Sequence, residues 1–279
     1  MSIEKELRVK LTEEELKKLV KSFDIIGSRE KAVAIIEIPD ELSEKKTLIA
    51  EAIMKVHKNV VAVLRKKSPR KGTFRLRKYE LLLGEKNTEV LHKESGCRFL
   101  LDPRKVYFSV RESAERLRIS EKVKENEKIL VMFGGVAPYP IVIAKKRDVN
   151  KIYSIEINPK AHEYAIKNVL LNKVGDVVIP ILGDVREICP LIRQKFDRIL
   201  MPLPEKAYEF LDVALSCSKK GTIIHLYGVS EEKNLFDDLE KKVVLEMKKL
   251  NKKYKTIERR KVLPFGPRKW KVCLDIRIL

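Results

Sequence analysis

Apolar and polar positions along this chain fall into two regimes. In the first hundred residues, helical and strand spacing alternate over short distances. Thr12-Glu13-Glu14-Glu15 has the form of a capping box and opens a short helix with Leu16, Leu19 and Val20 on one face. AVAIIEI (32–38) predicts a strand closed by Pro39, residues 44–57 a helix carrying Leu48, Ala52 and Val56 inward, and VVAVLRK (60–66) a second strand. These elements describe a small α+β unit over residues 1–100. From about residue 101, apolar runs alternate with helix-spaced segments. Strands are expected near 128–133, 151–157, 177–182, 197–201 and 221–227, with helices between, which predicts a largely parallel sheet with right-handed crossovers. After Ser230, the four-residue spacing of Leu235, Leu239, Val243 and Met247 forms a core-facing stripe. Two last strand-like runs, 254–263 and 269–278, are joined by Pro264-Phe265-Gly266-Pro267 and bring the strands to seven.

The most informative segment is KILVMFGGVAPYPIVIAKK (128–146). Its apolar run, Ile129 to Phe133, meets Gly134-Gly135 and then an apolar-periodic helix. A strand–turn–helix unit of this kind sets backbone N–H groups beside a nucleotide-like ligand. About 20 residues further on, IYSIEINP carries Glu156 near its end, where an acid can hold a ribose diol.

Charge adds a partner to this picture. Sixty Lys and Arg stand against 40 Asp and Glu, a net charge of +20. A surface adapted to heat by ion-pair networks calls for balanced signs; this surplus favours a polyanion whose counterions are released on binding. The densest basic stretch, RKKSPRKGTFRLRK (65–78), has eight Lys and Arg and no acid, and its Pro69 and Gly72 predict an exposed loop. The four cysteines, Cys97, Cys189, Cys217 and Cys273, form no C-x-x-C pair. They signal neither zinc nor a disulfide framework and suit a reducing, cytoplasmic location. No apolar run reaches membrane-spanning length, and the N-terminus lacks a signal-peptide core.

The segment VYFSVRESAERLRISEKVKENEKILVMFGGVAPYPIVIAKK (106–146) resembles the archaeal and eukaryotic tRNA (guanine-37-N1)-methyltransferase family. The likeness continues through YSIEINPKAHEYAIKNVLLNKV, ILGDVRE, DRILMPLPEKAYEFLDVA, GTIIHLY and the terminal WKVCLDIRIL. Upstream, GTFRLRKYELLLGEKNTEVLHKESGCRFLLD resembles that family's small tRNA-contacting domain. The resemblance implies a seven-stranded, Rossmann-like class I methyltransferase domain over 101–279, preceded by the RNA-contacting unit. It implies S-adenosylmethionine as cofactor, the anticodon stem-loop of tRNA as partner, no metal, no membrane and a monomer. The resemblance also implies that the chain begins at the family's second domain, without the further N-terminal domain that engages the tRNA elbow. A sister family that transfers an aminocarboxypropyl group shares the fold, but Pro202-Leu203-Pro204 sits closer to the methyltransferases' Asn-Leu-Pro.

By this resemblance Glu115 is the general base that takes the guanine N1 proton, as a carboxylate within hydrogen-bond reach can; by spacing alone it is an ion-pair partner of Arg111 or Arg118. Arg75 would stabilise charge on guanine O6, although Arg75 and Arg77 alternate along an apparent strand and composition does not choose between them. Tyr107 and Arg111 would position the base or the methionine end of the cofactor, with Pro202 and Pro204 beside the base. Phe133, Gly134, Gly135 and Glu156 form the expected cofactor edge. Asp184 would lie near the adenine, cap the helix that follows, or do both. Three positions depart from the family pattern. Val131 replaces an aspartate that orders the cofactor's methionine part. Ala137 replaces a turn glycine, a strained choice if the backbone there has positive φ. Pro202 replaces an asparagine that holds the target base, and proline offers neither its amide nor a backbone donor. Beside methylation of guanine N1, the departures leave open carbon methylation of a wyosine-type base at the same position, or a tRNA-binding paralogue without catalysis.

Overall fold

In the computed structural model, which describes residues 2–279, the capping box at Thr12 is formed. The Glu15 N–H donates to Thr12 Oγ1 at 3.3 Å and the Thr12 N–H to Glu15 Oε2 at 2.8 Å. The chain divides into two compact units, one ending at Val110 and the other Arg111–Leu279.

The first unit contains α1 (Ile3–Leu7), α2 (Glu13–Lys18), β1 (Asp24–Gly27), β2 (Ala32–Ile36), α3 (Lys46–Val56), β3 (Val60–Lys66), β4 (Tyr79–Gly84), β5 (Val90–Glu94) and β6 (Cys97–Leu101). Its four-stranded sheet has the order β1-β2-β3-β4. Strands β2 and β3 are parallel, joined by α3, which buries Ile49, Ala50, Ala52 and Ile53 against them. Both β1 and β4 add antiparallel edges, and β5 and β6 form a separate hairpin. The unit extends ten residues beyond the shift in sequence pattern at 100/101. Asp102 accepts a hydrogen bond from Thr88 at 2.7 Å, and the Phe108 ring packs on His92 and Phe99, so the chain after β6 stays in this core. Helix α2 ends at Lys18, leaving Leu19 extended.

The second unit runs α4 (Ser113–Lys122), β7 (Lys128–Val131), α5 (Pro138–Lys146), β8 (Lys151–Glu156), α6 (Pro159–Leu171), β9 (Val178–Leu182), α7 (Val185–Leu191), β10 (Phe196–Met201), α8 (Leu211–Ser216), β11 (Ser218–Glu231), α9 (Asp237–Lys249), β12 (Tyr254–Gly266) and β13 (Lys269–Ile278). The seven strands lie in the order β12-β13-β11-β10-β7-β8-β9. Strands β7 to β11 are parallel, and β13 runs antiparallel between β11 and β12. The central strands β7 and β10 are buried at nearly every position because helices cover both faces of a parallel sheet. On α9, Leu239, Val243 and Met247 are buried as the stripe requires, each worth about 1.5–3 kcal/mol on transfer from water. From β7 the chain winds first to β8 and β9, then returns to β10 on the other side. That reversal opens a crevice at the C-terminal ends of β7 and β10, where open α/β sheets bind ligands.

Candidate active site

Backbone geometry builds the crevice. Phe133, Gly135 and Ala137 have φ of 61°, 58° and 64°, three left-handed residues within five positions. Gly134 lies between the first two. Its N–H donates to Ile155 O at 2.7 Å, and a Cβ there would stand 2.1 Å from Ser154 Oγ, so only glycine lets β7 and β8 approach this closely. The Gly135 N–H donates to Glu156 Oε2 at 2.7 Å, and the Asn158 N–H donates to Oε1 at 2.8 Å. Burial pushes the Glu156 carboxyl above its ordinary range, opposed by the N–H groups of Asn158, Gly135 and Ile157. The carboxylate thus stands at the end of β8, held by the turn it faces.

Around it, Asp184 caps α7, accepting from the Arg186 N–H at 2.8 Å. The Phe133 ring meets Phe210 edge-on at 4.9 Å, and the Arg186 guanidinium lies 3.8 Å over Phe210. At the end of β10 the Leu203 N–H reaches back to Met201 O at 2.8 Å, closing a tight turn centred on Pro202, with Pro204 buried behind it. Val131, the last residue of β7, is wholly buried and presents no polar side-chain atom. The crevice residues therefore fit the nucleoside half of a nucleotide-like cofactor through Glu156 and the Gly134-Gly135 turn, while Val131 gives the other half no hydrogen bond.

The positive φ at Ala137 makes the strain at this turn measurable. An alanine there costs about 1–2 kcal/mol. Replacing it with glycine relieves that cost, against a lost buried methyl of about 0.8 kcal/mol and added chain entropy of about 0.5–1 kcal/mol. Ala137→Gly is expected to change unfolding free energy by less than about 1 kcal/mol. Ala165→Gly, at an equally buried position inside α6, is expected to cost about 1.5–2 kcal/mol. Denaturant titration of the two variants side by side checks the difference.

Glu115 projects from α4 and is 5% exposed. Its carboxylate accepts the Arg118 fork at 2.7 and 2.8 Å and the Tyr227 hydroxyl at 2.7 Å. The i,i+3 ion pair with Arg118 is formed. Tyr227 follows Leu226, which pairs with Met201 at the end of β10, so its hydroxyl ties Glu115 to the strand beside β10. The Tyr139 hydroxyl, in the first turn of α5, lies 3.3 Å from that of Tyr227.

From Arg118 a chain of buried charges continues through the unit. Its Nη1 donates to Glu258 and Asp275, both at 3.1 Å. His225 Nδ1 lies 2.6 Å from Asp275 Oδ1, and His225 Nε2 lies 2.6 Å from Arg198 Nη1. A guanidinium only donates, so Nε2 accepts and the imidazole is neutral, its Nδ1–H donating to Asp275. Burial keeps the His225 pKa below its ordinary value despite Asp275. Asp275 is held well below the carboxylate range by His225 and Arg118, which outweigh its own burial. Arg198, 1% exposed, forks onto Glu127 at 2.7 and 2.9 Å. Cys273, His225 and Asp275 bring a thiol, an imidazole and a carboxylate within 4.8 Å of one another, organised by these two guanidinium groups. A separate pair, Lys271 with Glu112 at 2.7 Å, is also buried.

None of these partners except Arg118 emerged from the sequence reading. The available signal is a charged or polar residue inside a run otherwise apolar enough for a buried strand: Arg198 in FDRILM, His225 in GTIIHLY, Asp275 in VCLDIRI. Such residues are buried only when paired.

In the first unit, Arg75 and Arg77 do not alternate along a strand. Residues 72–75 form a turn closed by the Arg75 N–H on Gly72 O at 3.1 Å and by the Lys71–Leu76 bridge, with Arg75 at φ 52°. Gly72 and Pro69 interrupt the run and leave too few residues to pair. The Arg70 and Arg75 guanidinium groups lie over the Tyr107 ring, at 4.2 and 5.6 Å from its centroid. Arg65, counted in the basic stretch, points inward to Ser43, Ile38 O and Asp40. Arg111 is exposed in the 3-10 turn Val110–Glu112 that precedes α4.

Sheet order, crevice position and the acid at the end of β8 define a methyltransferase-type doubly wound domain. The family model for the TRM5/TYW2 methyltransferase domain matches residues 90–257, and that for the TYW2 N-terminal domain matches residues 3–88. The chain belongs to the TRM5/TYW2 methyltransferase family. It is 41% identical to the tRNA (guanine(37)-N(1))-methyltransferase Trm5b of Pyrococcus abyssi over 92% of this chain and 74% of the relative. It is 38% identical to the tRNA 4-demethylwyosine(37)-methyltransferase Taw21 of Saccharolobus solfataricus, over 92% of this chain and 94% of the relative. Among solved structures, the aTrm5 chain in its complex with tRNALeu superposes with a TM-score of 0.86 at 37% identity, covering all of this chain and 78% of that one.

Proposed function

We propose that the chain methylates tRNA at position 37, beside the anticodon, using S-adenosylmethionine, with N1 of guanine as the acceptor. The carrying observation is the Gly134-Gly135 turn locked onto Glu156 at the end of β8, on a chain that is 41% identical to a tRNA (guanine(37)-N(1))-methyltransferase. When bound, the cofactor supplies an electrophilic methyl group. Glu156 would accept the ribose hydroxyls, the Gly134-Gly135 backbone would pack against the nucleoside, and Asp184 would face the adenine while capping α7. Phe133 would cover the crevice from its place against Phe210. Glu115 would take the N1 proton as the bond forms, with Arg75 stabilising charge on O6, and Tyr107, Arg111, Pro202 and Pro204 would bracket the base. The base leaves its stack to reach such a pocket, as loop nucleotides do at low cost. The basic turn 67–78 and the cations of 248–261 would meet the RNA backbone.

Losing charge at Glu156 tests the cofactor assignment. Glu156→Gln is expected to weaken S-adenosylmethionine binding by about tenfold or more, the worth of charge-assisted hydrogen bonds to a diol. Calorimetry on wild type and variant reads it directly, and a wild type without affinity would favour an RNA-binding module instead.

A second reading is supported by Pro202 and by the environment of Glu115. The acceptor would be a carbon of a wyosine-type base at the same position, where the proton lost is the carbon's own, after the methyl group adds, and not that of N1. Glu115 is already committed to three donors, and Pro202 lacks the amide that would hold guanine. The likeness to a 4-demethylwyosine(37)-methyltransferase supports the same reading.

A further inference from the structure

The hairpin of β12 and β13 extends the second unit beyond the crevice. Met201, the last residue of β10, pairs with Leu226, and Leu226 pairs with Leu274. Strand β11 then continues to Glu231, opposite Lys269. Five further residue pairs carry the hairpin tip about 16 Å past the end of β10, on the edge of the sheet that holds the crevice. Between Arg259 and Lys271 the sequence has six Lys and Arg and no acid. Arg259 and Lys261 pair with Glu240 and Glu232, and Lys271 is buried. Among the described residues, exposed Arg260, Arg268 and Lys269 have no acidic partner.

The tip is braced by side-chain contacts and carries a ring. The Trp270 Nε1–H donates to Glu232 at 3.3 Å, Lys261 Nζ lies 3.5 Å over the Trp270 ring, and the Glu232 N–H donates to Arg268 O at 2.9 Å. Beyond this clamp Phe265 is 38% exposed, and no other large apolar side chain of the tip is exposed among the described residues. Gly266 pairs with Lys269, so Pro267 and Arg268 are the central turn residues, and Arg268 holds φ of 52° where glycine or asparagine is the usual choice. Arg268 stands exposed at a turn position where glycine fits better.

We propose that this hairpin tip is an arm that grips the anticodon loop during methyl transfer: Phe265 stacks on an unpaired loop base other than the one in the crevice, while Arg260, Arg268 and Lys269 hold the neighbouring phosphates. The proposal rests on the tRNA reading above. A single exposed ring among unpaired cations matches unstacked loop nucleotides, which offer base faces and phosphates together. A duplex offers no base face, and one ring gives little apolar area for a membrane surface.

The test measures affinity for an anticodon stem-loop RNA and for whole tRNA, using Phe265→Ala, Phe265→Tyr and Arg268→Gly in the full chain. Phe265→Ala is expected to weaken RNA binding about tenfold or more, and Phe265→Tyr to keep affinity within about threefold of wild type. Arg268→Gly suits the turn, so the fold is kept, and the slope of log affinity against log salt is expected to fall by about one. In turnover, the Phe265→Ala effect is expected in KM, with kcat within about twofold, and S-adenosylmethionine affinity unchanged. If Phe265→Ala binds both RNAs as wild type does, the arm is overturned. Methyl transfer by the wild type is scored separately: RNA binding that depends on Phe265 without any methyl product keeps the arm and sinks the catalytic reading. A wild type that binds neither RNA sinks both.

Discussion

Replacing Arg198 with methionine is expected to lower the stability of the second unit by about 3–5 kcal/mol, because it leaves buried charge uncompensated. Glu127 loses both arms of its fork, and His225 loses the donor that fixes its tautomer. For a unit of this size the loss corresponds to a fall in melting temperature of about 6–20 °C. The double variant Arg198→Met/Glu127→Gln separates an ion pair from simple packing. Removing both partners leaves no unpaired carboxylate, so the double variant is expected to be more stable than Arg198→Met alone, with a coupling energy of about 1–3 kcal/mol. Thermal unfolding of the three variants reads the cycle. Additive losses would mean that Arg198 acts through its volume alone.

Glu115→Gln carries the second large effect, this time on chemistry. The amide still accepts from the Tyr227 hydroxyl, and Arg118 remains anchored to Glu258 and Asp275, so the crevice edge keeps its shape. The amide has no capacity to take a proton from guanine N1. Single-turnover transfer to N1 is expected to fall by about 10²–10⁴-fold, the usual worth of a positioned general base. Transfer to a carbon of a wyosine-type base is expected to fall less than about tenfold, since the proton lost there leaves the carbon after the methyl group has added and N1 keeps its own. S-adenosylmethionine affinity, measured alongside, is the control. An N1 rate within about tenfold of wild type would make Glu115 a positioning residue that acts through its pair with Arg118.

The parts of the fold that were legible in the sequence are those whose burial is uniform. Strand β7 is a short apolar run buried from Ile129 on, β10 is buried at every position but Asp197, and α9 carries one unbroken stripe, so period and composition agree. Strands β1 and β4 were not legible. β1 has four residues, and YELLLG in β4 carries intermediate burial throughout, which blurs the alternation of an edge strand. The turn at Arg75 was misread because Phe74 and Leu76 alternate with arginines as a strand would, while the left-handed φ at Arg75 leaves no compositional trace. At the crevice, Gly134, Gly135 and Glu156 announce themselves, since each residue type answers a backbone or ligand demand at that spacing, whereas Ala137 stands out only against the family pattern. The chain from Glu115 to Glu127 does not, because its members come from five separated segments that meet only once the sheet is wound. Glu115 shows the consequence: its spacing to Arg118 on one helix was legible, whereas the Tyr227 hydroxyl that completes its shell lies 112 residues away.

The most direct test of the central claim is product analysis at position 37. The protein is incubated with S-adenosylmethionine and, separately, with an unmodified tRNA transcript bearing guanine at position 37 and with native tRNA carrying the wyosine precursor; nucleosides are then read by mass spectrometry. The account predicts one new methyl group at position 37, on guanine N1 of the transcript; methylation of the precursor alone would select the carbon acceptor. No methyl product on either RNA, with RNA binding intact, would contradict it.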